Sequence, residues 1–123
     1  MIQEKIKTFE DACTSLNISS TLPEFSGVPE NLVKSLTAHY KLCIITEALN
    51  EGWTPDWSNG EWKYFPYFYM NDSSSPGRFS FGDSGNLRSN STVGSRLCFK
   101  SEELSDHAAE QFTDIYKDYF VIE

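Results

Sequence analysis

Several kinds of residue are scarce in this 123-residue chain, and each shortage excludes something. Cysteine occurs three times, as Cys13, Cys43 and Cys98, far apart, odd in number and never as CxxC. A disulfide framework is therefore not expected, and the thiols read as buried and reduced. The two histidines, His39 and His107, show no Cys or His set at metal-ligand spacing, so neither a metal site nor a cofactor is expected. No apolar run approaches the ~18 residues of a membrane span, and MIQEKIKTFEDAC has no apolar stretch of signal-peptide length. A cytoplasmic protein without membrane contact is expected. Positive charge is also short, with ten Lys/Arg against eighteen Asp/Glu, a net charge of −8 and a pI near 4.7. Such a chain is repelled by phosphate backbones, which argues against duplex nucleic acid as a partner.

What is present fits one folded domain. A chain of this length buries one modest core, and 39% hydrophobic with 15% aromatic residues exceeds what a disordered chain carries. Charge is distributed unevenly. Residues 1–61 carry four Lys/Arg against nine Asp/Glu, residues 62–100 five against two, and residues 101–123 one against seven. The middle is the only net positive segment, and it also holds ten of the eighteen aromatics, between Trp53 and Phe81.

Periodicity divides the chain into 1–52, helical; 53–100, an aromatic β region with a polar loop; and 101–123, a C-terminal helix. Thr8 before FEDACTSL, with Glu10 and Asp11 in the first turn, predicts a short capped helix with Phe9, Ala12, Cys13 and Leu16 on one face. After a connector with two prolines, Pro29 opens a longer helix. Leu32, Val33, Leu36, Tyr40, Cys43, Ile44 and Ala48 recur there at helical intervals until Gly52. Asn59-Gly60 between Trp57 and Trp62 signals a hairpin. Trp62–Met70 reads as a strand apolar on both faces, and Pro66 places it at an edge or a bulge. Arg78–Phe81 and Val93–Phe99 read as two further strands. Ser101 then caps a helix with a Leu104, Ala108, Phe112, Ile115 and Tyr119 stripe. The expected fold is α+β: two N-terminal helices, a small antiparallel sheet of about three strands within 57–99, and a C-terminal helix packed on the sheet.

Catalytic fragments fail on context. Thr37-Ala38-His39-Tyr40 and Gly82-Asp83-Ser84-Gly85 resemble pieces of chymotrypsin-like proteases, but His39 falls inside a predicted helix and a double β-barrel needs far more chain. Gly77 and Gly82 lack the Lys-Ser/Thr of a phosphate loop. Glu47, Glu51 and Glu61 flank the aromatic region but read as ordinary surface charge. No catalytic residue is expected, and whether the chain is an enzyme is left open, with a non-enzymatic reading favoured.

The segments IKTFEDAC, YKLCIITEALNEGW, EWKYFPYF, VGSRLCFKSEEL and QFTDIYKDYF together resemble a recurrent family of small proteins from Bacteroidales phages and prophages, one with no activity to carry over. The resemblance implies a phage origin, a place in the host cytoplasm or on the virion, and variation concentrated between the aromatic strand and GSRLCF. That interval is NDSSSPGRFSFGDSGNLRSNST, residues 71–92, where fifteen of twenty-two residues are Ser, Gly, Asn or Asp. It resembles the variable region of a diversified binding protein. GSR is loosely similar to the closing strand of retroelement-diversified C-type lectins, whose length and order this chain lacks.

Tyr and Trp beside Ser, Gly and Asn is the mixture found in antibody paratopes, large rigid contact area next to adaptable hydrogen bonding. The expected function is thus a binding module for a host or virion protein, with Trp57, Tyr67, Tyr69, Arg78 and Arg88 as contacts. One alternative is a small-molecule binder or enzyme, taking an anionic, nucleotide-like ligand in a cleft of Trp53, Trp62, Tyr64, Arg96 and Lys100. Another is a structural phage accessory protein. A strand greasy on both faces also suggests a homodimer, unless the polar segment folds back over it.

Overall fold

A computed structural model describes residues 1–122. The chain runs α1 (Ile2–Lys5), α2 (Phe9–Ser15), α3 (Glu30–Asn50), β1 (Lys63–Tyr69), β2 (Ser80–Leu87), α4 (Glu102–Gln111) and α5 (Thr113–Phe120). The α+β class holds, with five helices and a two-stranded antiparallel sheet among the described residues.

The start of α2 follows its sequence. Thr8 Oγ1 accepts from the Asp11 amide at 3.0 Å while the Asp11 carboxylate accepts from the Thr8 amide at 3.1 Å, a complete capping box. The preceding Ile6 is 1% exposed, and its carbonyl is 2.8 Å from His107 Nε2 on α4, which ties the N-terminus to the last helices.

Helix α3 has its expected length but not its expected face. Ala38, Leu42, Ile45 and Leu49 point into the core, while Leu32 and Leu36 are exposed. From Leu36 to Leu49 the helix is apolar on more than one side, so spacing alone does not say which side turns inward. The unused stripe becomes the wall of a groove.

The sheet corrects the three-strand expectation. β1 pairs with β2 from Lys63↔Leu87 to Tyr69↔Ser80, with one irregularity in register between Tyr67 and Phe68 that leaves Gly82 as the extra residue. The second strand begins at Ser80 rather than Arg78, which lies in a single 3-10 turn (Pro76–Arg78) with φ of 64°. Val93–Phe99 is not a strand. Only Phe99 meets β1, exchanging two backbone hydrogen bonds with Tyr64. Residues 91–94 curl instead, with Ser91 Oγ accepting from the Val93 and Gly94 amides. Asn59-Gly60 closes no hairpin either: Asp56, Ser58, Asn59 and Glu61 hydrogen-bond among themselves in a compact polar loop. The hairpin turn is 70–79. Pro66 suits β1 because alternation points its missing donor away from β2, along the edge that Phe99 touches only at Tyr64.

Phe68 joins sheet to helices, with its ring 4.6 Å from Phe79, 5.0 Å from Tyr116 and 5.2 Å from Phe120 between centroids. The last helix breaks at Phe112 (φ −117°, ψ 31°). The break shifts the phase, so that Tyr116 is buried where a straight helix would bury Ile115. Across the middle, Asn50 at the end of α3 fixes the 98–100 segment, donating to the Cys98 carbonyl at 3.0 Å and accepting from the Lys100 amide at 3.1 Å.

Candidate functional site

The outer face of β1 is uncovered. Tyr64, Pro66 and Phe68 turn inward, and Phe65, Tyr67 and Tyr69 turn outward; Tyr67 and Tyr69 are 46% and 56% exposed. A Cβ built on Gly82 would lie 3.0 Å from Tyr67 ring carbons, and one on Gly85 would lie 3.0 Å from the Phe65 ring. The two rings therefore lie on bare backbone of the neighbouring strand, which fixes their orientation without enclosing them. The Ser/Gly-rich segment does not fold over this face; its residues 80–87 are β2, paired edge to edge with β1.

The turn joining the strands is tightly bonded. The Asp72 carboxylate accepts from the Ser74 amide, the Ser74 hydroxyl and the Ser80 hydroxyl, and these bonds hold it below its ordinary pKa. The Asp72 amide donates to the Arg78 carbonyl at 2.8 Å, and Phe79 plugs the turn into the core. Arg78 projects from it, with Nη1 3.1 Å from Asn71 Oδ1.

The five expected contacts are thus placed differently. Tyr67 and Tyr69 share the open face, and Arg78 stands at the turn beyond it. Trp57 is occupied by the fold: its indole N–H donates to Ser95 Oγ at 2.9 Å, and Lys63 Nζ lies 4.8 Å from its ring centroid. Arg88 stacks on Trp62 at 4.1 Å. Of the alternative cleft, Trp53 and Arg96 do line one cavity. Tyr64 packs against the core, Trp62 sits under Arg88, and Lys100 lines a separate shallow depression with Met1 and Glu51.

Sequence reasoning missed a larger cavity that adjoins the one lined by Trp53 and Arg96. Along the unused stripe of α3, Leu36, His39, Tyr40, Cys43, Ile44 and Glu47 face Pro23 and Phe25 of the connector across a cavity of about 540 Å³. Arg96 closes one end. Beyond Cys43, Glu47 and Arg96 a second cavity of about 270 Å³ continues to Thr46, Asn50 and Trp53. The signal available was the second apolar stripe on α3, here lining a cavity.

Reactive groups are held in quiet settings. His39 and Cys43, four residues apart on α3, have Nε2 and Sγ at 3.6 Å. Burial raises the Cys43 thiol, and it raises Cys98 to about 11. Ser84 is hydrogen-bonded to Ser105 and Asp106 at 2.7 Å, so the protease-like Gly82–Gly85 fragment has a hydroxyl without an imidazole partner. Asp83, Glu102 and Asp106 bring carboxylate oxygens within 4.8 Å of one another at the start of α4, where the helix dipole favours acids. No helix among the described residues is long and apolar enough to cross a membrane. Comparison with protein-family models, curated proteins and solved structures gives no match, so residue roles here rest on geometry and chemistry.

Proposed function

We propose that this chain is a non-enzymatic binding module of phage origin that holds a host or virion protein against the outer face of β1. The observation that carries the reading is the open aromatic row Phe65, Tyr67 and Tyr69, two of whose rings are seated on Gly85 and Gly82. Aromatic rings fixed before binding lose little conformational freedom on contact, and Tyr and Arg are the residue types that anchor interfaces. Arg78, on a bonded turn at the end of the row, supplies a cation beside them. The phage origin rests on the resemblance of EWKYFPYF, VGSRLCFKSEEL and the acidic last helix. Raised thiols and a Ser84 hydroxyl without an imidazole partner support the non-enzymatic side of the reading.

The test is capture of a partner by the wild-type chain and by Tyr69→Ala with Arg78→Ala, both residues being exposed and outside the core. Capture of a defined protein that drops at least tenfold in the double variant, with the melting temperature unchanged, supports the site. Equal capture removes these residues from it. Pairing of the chain with itself through the same row would instead identify a second copy as the partner.

A further inference from the structure

The groove on α3 shares no residue with the outer face of β1 and has chemistry of its own. One wall is helix surface, apolar at Leu36, Tyr40, Cys43 and Ile44 with His39 set among them; the other is Pro23 and Phe25 from the connector. Its volume, about 540 Å³, falls in the range of small-molecule sites, roughly 300–1,000 Å³. Such a slot favours an apolar body.

At the narrowing into the second cavity two opposite charges face the same space. Arg96 and Glu47 line both cavities, yet they form no ion pair with each other, and among the described residues neither side chain has a hydrogen-bond or ion-pair partner. Both stand close enough to Cys43 for their charges to act on its thiol in opposite directions. An arginine with five free donors beside an apolar slot matches a carboxylate, which it holds in a two-pronged grip. Glu47 sets a limit on that match. With one cation and one anion at the narrowing, a single negative charge is compensated by Arg96, whereas a second one meets the Glu47 carboxylate. Nucleotide polyphosphates are disfavoured on this ground. Beyond the narrowing, Thr46 is 1% exposed and lines the smaller cavity, and its Oγ1 has no hydrogen-bond partner among the described residues.

We infer that the groove between α3 and the 23–25 connector binds a small amphipathic monocarboxylate, its apolar body between Phe25 and Tyr40–Ile44 and its carboxylate on Arg96. The ligand lies along the helix. Its head stops at the narrowing, where the apolar lining gives way to Glu47, Thr46 and Asn50.

Calorimetric titration of the full chain with decanoate below its micellar concentration tests this, with decanol, decylamine and the dianion sebacate as comparisons. Saturable one-to-one binding of decanoate is expected, at least tenfold tighter than decanol, sebacate or decylamine. Arg96→Ala is expected to weaken decanoate at least tenfold without a change in melting temperature, because Arg96 is exposed and bonded to nothing described. Ile44→Trp, which fills the slot, is expected to weaken decanoate and decanol alike. Absence of saturable decanoate binding, equal binding by Arg96→Ala, or decanol binding as tightly as decanoate would each overturn the assignment.

Discussion

Lys63 Nζ lies 4.8 Å from the centroid of the Trp57 ring, and Lys63 is 1% exposed. A lysine on the outward side of a strand is buried because the 56–57 loop and Arg88 close over it. Its ammonium donates to the Asp56 carbonyl and to the Arg88 carbonyl at 2.9 Å. One charge thus satisfies two loop carbonyls and an aromatic face at the start of β1. Lys63→Met keeps the stem but orphans both carbonyls, so a loss of about 2–4 kcal/mol is expected in urea unfolding. A loss under ~1 kcal/mol would show that solvent satisfies the loops.

Gly82 and Gly85 are expected to resist alanine unequally. At Gly85 the added Cβ meets only the Phe65 ring, which can tilt; at Gly82 it meets the Tyr67 ring and, at 3.1 Å, the Tyr67 carbonyl oxygen in the backbone. Gly82→Ala is therefore expected to cost more than Gly85→Ala, within the ~1–3 kcal/mol usual for overpacking. Thermal melts of the two variants compare them, and the reverse order would contradict the bulge at Gly82.

Tyr116 carries a hydroxyl that the core does not need. The residue is 3% exposed, burial raises its pKa, and the oxygen has no hydrogen-bond partner among the described residues. Removing a buried hydroxyl without a partner relieves desolvation, so Tyr116→Phe is expected to leave stability unchanged or raise it by about 1 kcal/mol. Destabilisation beyond ~1 kcal/mol in urea would place a bonding partner at that oxygen.

Acid is expected to loosen the 70–79 turn through Asp72. Hydrogen bonds from Ser74 and Ser80 lower its pKa below the ordinary 3.8, so the stability it contributes is present above that value and lost as pH falls through the lower folded value. The gap in melting temperature between wild type and Asp72→Asn should then be constant near neutrality and shrink below about pH 4. A gap that widens in acid would have the wrong sign for this carboxylate.

The sequence made the helix starts legible where a cap and its partner are neighbours: Thr8 with Asp11, and Ser101, whose Oγ accepts from the Leu104 amide. It misled where contacts are distant. SFGDSGNL has poor strand character, and it forms β2 because Gly82 and Gly85 let two β1 rings lie flat, a pairing invisible to local propensity. GSRLCF reads as a strand through Leu97 and Phe99, yet it turns and bends over residues 95–97, and only its end is pinned, Cys98 by Asn50 and Phe99 by Tyr64. At the site, alternation put Tyr67 and Tyr69 on one face of β1, but with both faces apolar it did not say which face is open. Trp57 and Arg88 read as contacts because nothing in their spacing reveals Lys63 beneath one and Trp62 beneath the other. The α3 groove stayed hidden because a two-sided apolar helix does not say which side it buries.

Site-directed photocrosslinking tests the central claim most directly. A benzophenone amino acid is placed at Tyr69 on the open face and, as a control, at exposed Thr14 on α2. Irradiation in a lysate of the host is expected to link position 69, and not position 14, to one defined protein, competed away by unlabelled wild-type chain but not by Arg78→Ala. The same products from both positions, or none from position 69, would contradict the outer face of β1 as a binding surface.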